Sequence, residues 1–381
     1  MEGSIEMHTV LRAKLADHYI PKRKENNEGC SQLISDDHHP SIYNLNAREC
    51  SNGTDFRWFE ICEPVEQPDL LPQPDDNRSS REHKVIILMG ATGSGKSTLI
   101  NGMVNYILGV EWTDSYRFTI IREDEGAGRN QAHSQTSSVT AYTLHHRPGM
   151  TISHSITIID TPGYGDTRGI QKDEEITRTI QRFLIENNKD RFDSMHVVCF
   201  VTASGDSKLS HTQRYILDSM QFIFGNNVKD NIRLLVTFAD NSDPQVIEGC
   251  REAGVEFPYE MFSKFNSCVN YTSNRSQYAD EDLNFEQLFW DTNQENFKKF
   301  FDMLESMNGL DLKSISNINE KQWLEAQQQE EEQEDEIESY MAGINADVLE
   351  LNNSHNQDPP DVALPNNIGQ ENWCPKCCVI C

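Results

Sequence analysis

From Lys84 onward the chain alternates short, unbroken apolar runs with longer stretches in which apolar residues recur three or four positions apart. The first run, Val85-Ile86-Ile87-Leu88-Met89, is bounded by Gly90 and reads as a strand buried on both faces. Past Lys96, the residues Leu99, Ile100, Met103, Val104, Ile107 and Leu108 form a helical stripe that Gly109 is placed to end. Further strands are predicted at about 138–145, at Ile156–Ile159, at Val197–Val201 and at Ile232–Val236, with helices over about 172–187 and 210–224 between them. A last helix over about 283–307 carries Phe285, Leu288, Phe289, Phe297, Phe300, Phe301 and Leu304, which read as core packing rather than a cofactor box. Strands alternating with helices at this spacing predict an α/β fold with a mainly parallel, doubly wound sheet.

The flanks have a different texture. Residues 1–81 mix polar clusters with Pro, Asn, Asp and Ser, sustain no period, and read as disordered or weakly ordered. Four prolines between Glu63 and Arg81 mark a linker, and the cluster Phe56-Arg57-Trp58-Phe59 is a candidate to dock on the domain. The domain proper is expected over 82–308. After it, 309–352 reads as an acidic helical region, with Glu330 to Glu338 almost all acidic, and 353–381 as a flexible cysteine-rich tail.

Composition narrows the function classes. Across 381 residues, 61 acids face 33 bases, for a net charge of −28. That balance argues against nucleic acid as a partner, because counterion release needs clustered Lys and Arg. It also argues against simple electrostatic adhesion to acidic lipid. No run of apolar residues is long enough for a transmembrane helix, and the first residues show no secretory pattern. Six of the ten cysteines are scattered without paired spacing, and those in the domain, such as Cys199, read as reduced and buried. The expected setting is cytoplasmic.

The chemistry begins at Gly90-Ala91-Thr92-Gly93-Ser94-Gly95-Lys96-Ser97, between a strand and a helix. Gly90, Gly93, Ser94 and Gly95 let successive backbone N–H groups wrap a phosphate. Lys96 adds a fixed positive charge for the β- and γ-phosphates, Ser97 a hydroxyl for Mg²⁺, and the helix start at Ser97 and Thr98 its partial positive charge. This pattern identifies a P-loop NTPase.

Asp160-Thr161-Pro162-Gly163 follows directly on an apolar strand. There Asp160 is expected to hold a Mg²⁺-bound water, and Gly163 to offer its N–H to a γ-phosphate. Between the two motifs, Gln131 to Thr140 is polar, with Gly126 and Gly128 ahead of it, and suits a loop that orders on the γ-phosphate. Thr140 or Thr136 would complete the Mg²⁺ shell, and Thr140 is preferred. Arg129 and His133 read as exposed loop residues rather than phosphate ligands. The catalytic set expected is therefore Lys96, Thr140 and Gly163, with Ser97, Thr140 and Asp160 as metal ligands.

The base site is expected after the strand Leu234-Leu235-Val236, at Thr237-Phe238-Ala239-Asp240. A carboxylate here takes two hydrogen bonds from guanine, which places Thr237 and Asp240 on the nucleotide. Phe238 stands where a lysine stem often covers the base, and its ring can stack there instead. GTP/GDP is favoured over ATP.

Together these residues resemble the septin-like branch of P-loop GTPases, which includes septins and the immunity-associated GTPases. Asp160-Thr161-Pro162-Gly163-Tyr164-Gly165-Asp166 looks like the septin switch II. Ser138-Val139-Thr140 looks like the immunity-associated switch I, and Lys208-Leu209-Ser210 with Gln213 like that group's basic-hydrophobic-Ser/Thr box. The resemblance covers about residues 82–275. It implies a GTP-binding switch that assembles as a homo-oligomer through its G domain. Tyr164 stands where a water-orienting glutamine is found in other GTPases, which implies slow, assembly-dependent hydrolysis assisted by Mg²⁺. Two alternatives stay open: an ATP-dependent enzyme, and a nucleotide-bound scaffold that does not hydrolyse.

The sequence ends Trp373-Cys374-Pro375-Lys376-Cys377-Cys378-Val379-Ile380-Cys381. Cys378-Val379-Ile380-Cys381 fits a prenylation box with cysteine as an unusual last residue, and Cys377 is the candidate second lipidation site. The expectation is peripheral attachment to the cytosolic face of a membrane. A metal or redox site on Cys374, Cys377, Cys378 and Cys381, or an inert tail, are the alternatives.

Overall fold

Burial on both faces decides where the strands run. In a computed structural model, Val85 to Met89 are inaccessible to solvent and form the middle of β5 (His83–Gly90). The structure describes residues 9–322 except 14, 17–18, 21–30, 37–38, 51–55, 62–81, 122–137, 166–168, 187–190, 207, 241, 253–254, 256, 258–260, 275–284 and 320. Upstream of β5 lie β1 (Ser31–Ser35), β2 (Ser41–Leu45), β3 (Ala47–Glu49) and β4 (Phe56–Ile61). Downstream come α1 (Lys96–Ile107), β6 (Tyr116–Thr119), β7 (Val139–Leu144), β8 (Ser155–Asp160), α2 (Ile170–Glu186), β9 (Ser194–Met195), β10 (Val197–Ala203), α3 (His211–Phe224), β11 (Ile232–Thr237), α4 (Gln245–Glu252), β12 (Phe262–Lys264), α5 (Phe285–Ser306) and β13 (Leu310–Asp311).

Among the described residues the main sheet has eight strands in the order β12-β11-β10-β5-β8-β7-β4-β3. Its pairs are parallel except β7 with β8 and β3 with β4. Alternate residues of each buried strand feed two cores. Ile86, Leu88, Cys199 and Leu235 face the layer containing α1 and α5. Val85, Ile87, Met89, Phe200 and Val236 face α2, α3 and α4. Helices on both faces of a mainly parallel sheet make the doubly wound α/β architecture expected from the sequence.

Helix α1 is buried on more than its apolar stripe. Asn101 and Asn105 are also inaccessible, and they stand in for a strand partner beside β6. Asn105 accepts from Phe118 N at 2.9 Å and donates to Phe118 O at 2.7 Å, while Asn101 accepts from Ile120 N and donates to Ile121 O, both at 2.9 Å. Buried backbone groups need such partners.

Three features differ from the sequence reading. Residues 31–61 are not weakly ordered throughout: β4 and β3 extend the main sheet, while β1 and β2 form a small sheet with β6. The driving force is apolar, since Phe56, Trp58 and Ile61 are buried. At the other end the packed chain passes residue 308. Leu312 and Ile315, within a helical stretch at 312–319, are buried in the second core. Finally, Phe285 and Leu288 at the start of α5 are exposed, whereas Phe297, Phe300, Phe301 and Leu304 are buried. At 3.6 residues per turn Leu288 lies half a turn round the helix from Phe297, off the core-facing stripe. No helix among the described residues is long and apolar enough to cross a membrane.

Candidate nucleotide site

Strand β5 delivers the chain into the loop from Gly90 to Gly95, and α1 begins at Lys96. Gly95 caps the helix with φ 83°, a left-handed conformation that glycine adopts without strain. The Lys96 ammonium donates to Gly90 O at 3.0 Å and Ala91 O at 3.1 Å, folding the side chain back over the loop it serves. Burial lowers its pKa to about 8, and the nearby Asp160 opposes that shift. Thr92 Oγ1 and Ser94 Oγ are buried and have no hydrogen-bond partner among the described residues. Polar atoms in that state are costly unless something completes them. A cradle of backbone amides, two such hydroxyls and one ammonium fits phosphate oxygens. Ser97 and Thr98 lie half-buried in the first turn of α1.

The second motif is strapped to this loop. Thr92 N donates to Tyr164 O at 2.8 Å, and Tyr164 N donates to Gly90 O at 3.2 Å. Gly163 passes so close that a β-carbon there would stand 2.7 Å from Thr92 Cα. Asp160, the last residue of β8, is 1% exposed and sits in register with Leu88 on one side and Thr140 on the other. Thr140 is buried, and its hydroxyl donates to Ser138 O at 3.3 Å, which leaves its lone pairs for a cation. Ser97, Thr140 and Asp160 supply the hard oxygen donors that Mg²⁺ prefers.

Tyr164 turns away from the phosphate cradle. It is inaccessible to solvent, with its hydroxyl 3.3 Å from Thr177 Oγ1 on α2 and its ring 6.0 Å from that of Tyr215 on α3. Burial raises its pKa well above the ordinary phenol value. The adjoining Gly165 N donates to Asp173 Oδ1 at 2.8 Å, pinning the segment to α2.

Strand β11 carries Thr237, Phe238 and Asp240 to the same edge. Thr237 Oγ1 donates to Ser94 O at 2.7 Å, which ties the strand end to the phosphate loop. Phe238 adopts φ 51°, rare for a bulky residue, and is 49% exposed. Its ring would stand 3.3 Å from a β-carbon on Gly95, so it lies against the loop where a lysine stem would run. Asp240 accepts from Ser242 N at 2.8 Å and from the Ser242 hydroxyl, which hold its carboxyl below the usual carboxylate range.

The Lys208-Leu209-Ser210 box has a structural role here. Ser210 and Gln213 form a reciprocal capping box on α3. Gln213 Nε2 also donates to Thr202 Oγ1 and Asp206 Oδ2, each at 2.7 Å, and Thr202 O accepts from Thr237 Oγ1 at 3.1 Å. The box thus ties the start of α3 to the ends of β10 and β11.

The structure therefore gathers Gly90, Gly93, Ser94, Gly95, Lys96, Ser97, Thr98, Thr140, Asp160, Gly163, Thr237 and Asp240 at the C-terminal ends of β5, β8, β10 and β11, with Thr140 near the start of β7. Ligands bind there in doubly wound folds. Thr136, Arg129, His133, Cys377 and Cys378 lie outside the described residues. Sequence reasoning missed the turn after β12, where Phe265 O accepts from Ala239 N at 3.1 Å and Asn266 N donates to Asn293 Oδ1 at 3.1 Å. A three-residue edge strand is too short to show a period.

The chain is similar to the solved structure of Toc33 from Arabidopsis thaliana in complex with GDP and Mg²⁺, at 13% identity and a TM-score of 0.36, covering 62% of this chain and 90% of that one. It is similar to Toc33 with Mg²⁺ and GMPPNP at 12% identity and a TM-score of 0.32, covering 65% and 88%. It is also similar to the S. cerevisiae Ski7 GTPase-like domain bound to GTP, at 13% identity and a TM-score of 0.32, covering 58% and 50%. No curated protein sequence matches the chain. The sequence profile of the AIG1 family matches residues 84–289, more than half of the chain, from within β5 to the first turns of α5. The chain belongs to the AIG1 family, the immunity-associated type of P-loop GTPase.

Proposed function

We propose that this chain binds GTP and GDP with Mg²⁺ as a molecular switch, and that it hydrolyses GTP slowly, by positioning and electrostatics, faster when copies assemble through their G domains. The reading rests on one relationship: two backbone hydrogen bonds, Thr92 N to Tyr164 O and Tyr164 N to Gly90 O, join the phosphate loop to the Asp160–Gly163 segment. The loop that grips the β-phosphate and the segment that senses the γ-phosphate are then one unit. Lys96 would neutralise charge on the β- and γ-phosphates, and Gly163 N would donate to the γ-phosphate. Ser97, Thr140 and Asp160 would hold Mg²⁺, which supplies further charge neutralisation on the triphosphate. Asp240 would read the guanine edge while the Phe238 ring covers the base. No side-chain general base is assigned, because Tyr164 is enclosed between α2 and α3. A chain lacking that group gains from a partner that orders its switches, which supports the homo-oligomer. Among the described residues Cys50, Cys199 and Cys250 carry thiols rather than disulfides, in keeping with a reducing cytoplasmic setting.

The test is to identify the nucleotide that co-purifies with the full chain, then to titrate the stripped protein with GDP, GTP and ATP. GTP or GDP is expected, and displacement by ATP but not GTP would sink the guanine reading. Single-turnover hydrolysis should rise with protein concentration. A flat zero would favour the non-hydrolysing scaffold.

A further inference from the structure

Strand β4 adds an arginine to the row of residues that carries the cation site. Its parallel pairing with β7 sets Arg57 beside Thr140, and β7 in turn sets Thr140 opposite Asp160. Phe56 and Trp58 of β4, and Val139 and Ala141 of β7, feed the α2 core, so Arg57 and Thr140 take the opposite face. On that face Phe59 stacks on Tyr142 at 5.6 Å. Arg57 therefore lies on the same side of the sheet as Thr140 and Asp160. Neighbouring strands stand about 4.8 Å apart, so the Arg57 backbone is about 10 Å from that of Asp160. An extended arginine side chain spans more than one strand spacing.

The Arg57 guanidinium now donates to the Glu49 carboxylate at 3.0 and 3.3 Å and lies 4.7 Å from the centre of the Phe59 ring. Both Arg57 and Glu49 are more than two-fifths exposed, and exposed pairs of this kind contribute little. The guanidinium is accordingly cheap to release toward a stronger anion, and a triphosphate is one.

We propose that Arg57 is the catalytic arginine of the GTP hydrolysis read above, supplied in cis by the N-terminal strand. In that reaction the water oxygen forms a bond to the γ-phosphorus as the bond to the β–γ bridging oxygen breaks. The leaving electron pair moves onto the GDP β-phosphate, and the water proton passes to the phosphate product. Arg57 leaves Glu49 and donates to the oxygens on which that charge grows, adding to the charge of Lys96. It sustains turnover of the isolated chain, to which assembly adds. The proposal depends on the GTPase reading, so binding and hydrolysis are measured separately.

The full chain, Arg57→Ala, Arg57→Lys and Glu49→Gln are compared for binding of a fluorescent GTP analogue, single-turnover hydrolysis at low protein concentration, and Mg²⁺-dependent capture of GDP with aluminium fluoride. Arg57→Ala should bind GTP within a factor of about 3 of wild type, yet lose at least about 100-fold in rate and lose the fluoride complex. Millimolar guanidinium should restore part of that rate. Glu49→Gln should hydrolyse faster, because it frees the arginine, and it serves with Arg57→Lys if Arg57→Ala does not fold. Arg57→Ala that turns over at the wild-type rate overturns the proposal, as does a wild-type chain that binds GTP but neither hydrolyses it nor forms the fluoride complex. Absence of any GTP binding overturns the GTPase reading itself, and the proposal with it.

Discussion

A β-carbon on Gly163 would stand 2.7 Å from Thr92 Cα and 2.9 Å from Thr92 N, so the two motifs touch backbone to backbone. No side-chain rotation relieves that contact. Gly163→Ala should therefore part the segment from the phosphate loop. We expect it to lose at least tenfold, about 1.4 kcal/mol, in affinity for GTP while GDP affinity changes far less. Isothermal titration with both nucleotides checks this, and an equal loss for the two would contradict the γ-phosphate role.

Lys96 is buried for its ligand at a cost to the empty fold. Its folded pKa of about 8 lies below the ordinary 10.5, so between those values the unfolded chain binds more protons. Stability without nucleotide should then rise with pH from about 8 to about 10.5, by an amount on the order of 3 kcal/mol at most. Lys96→Met should melt no lower than wild type at pH 7 without nucleotide, yet show no thermal shift with GTP and Mg²⁺. Thermal melts with and without nucleotide across pH 7–10 measure both halves.

Phe238 and Asp240 should divide the work at the base. Phe238→Ala removes stacking that any purine receives, so GTP and ATP affinities should fall together, by about tenfold. Asp240→Ala removes the hydrogen-bond acceptor for guanine, so GTP affinity should fall and the preference for GTP over ATP should collapse. Competition titrations on the two variants separate the roles. If Asp240→Ala keeps its preference, guanine is being read elsewhere.

Acid should loosen the end of the sheet remote from the nucleotide. His83 on β5 and His196 beside β10 are both held near pKa 4, chiefly by burial, with His154 close to both and Lys84 also acting on His196. His196 Nδ1 accepts from Val85 N at 3.1 Å, a bond that protonation breaks. Depressed histidine values mean the contribution is complete above pH 6.5 and is lost as pH falls from 6.5 toward 4. The melting temperature should drop across that window, and less steeply in His196→Asn, whose amide oxygen can still accept. A pH-independent melting temperature between 6.5 and 4 would rule this out.

The strand ending in Gly90, the helix started at Lys96, the strand ending in Asp160 and the strand ending in Thr237 were all legible in the sequence. Each announces itself locally, through an unbroken apolar run and a motif at its end, because burial on both faces demands the run and phosphate binding demands the glycines. The capping box Ser210–Gln213 is equally local. What no local pattern carries is which strand lies beside which. Phe56 and Trp58 share one face of β4, but only the pairing of β4 with β7 in the folded chain sets Arg57 next to Thr140. Tyr164 is similar: the sequence placed it where a catalytic glutamine is often found, and packing between Thr177 and Tyr215 turned it inward. The sequence by itself determined the strands and helices that carry the phosphate motifs, since these depend on residues close together in the chain. Tertiary structure alone decided the neighbours of that site, because contacts between distant strands depend on the whole set of competing pairings.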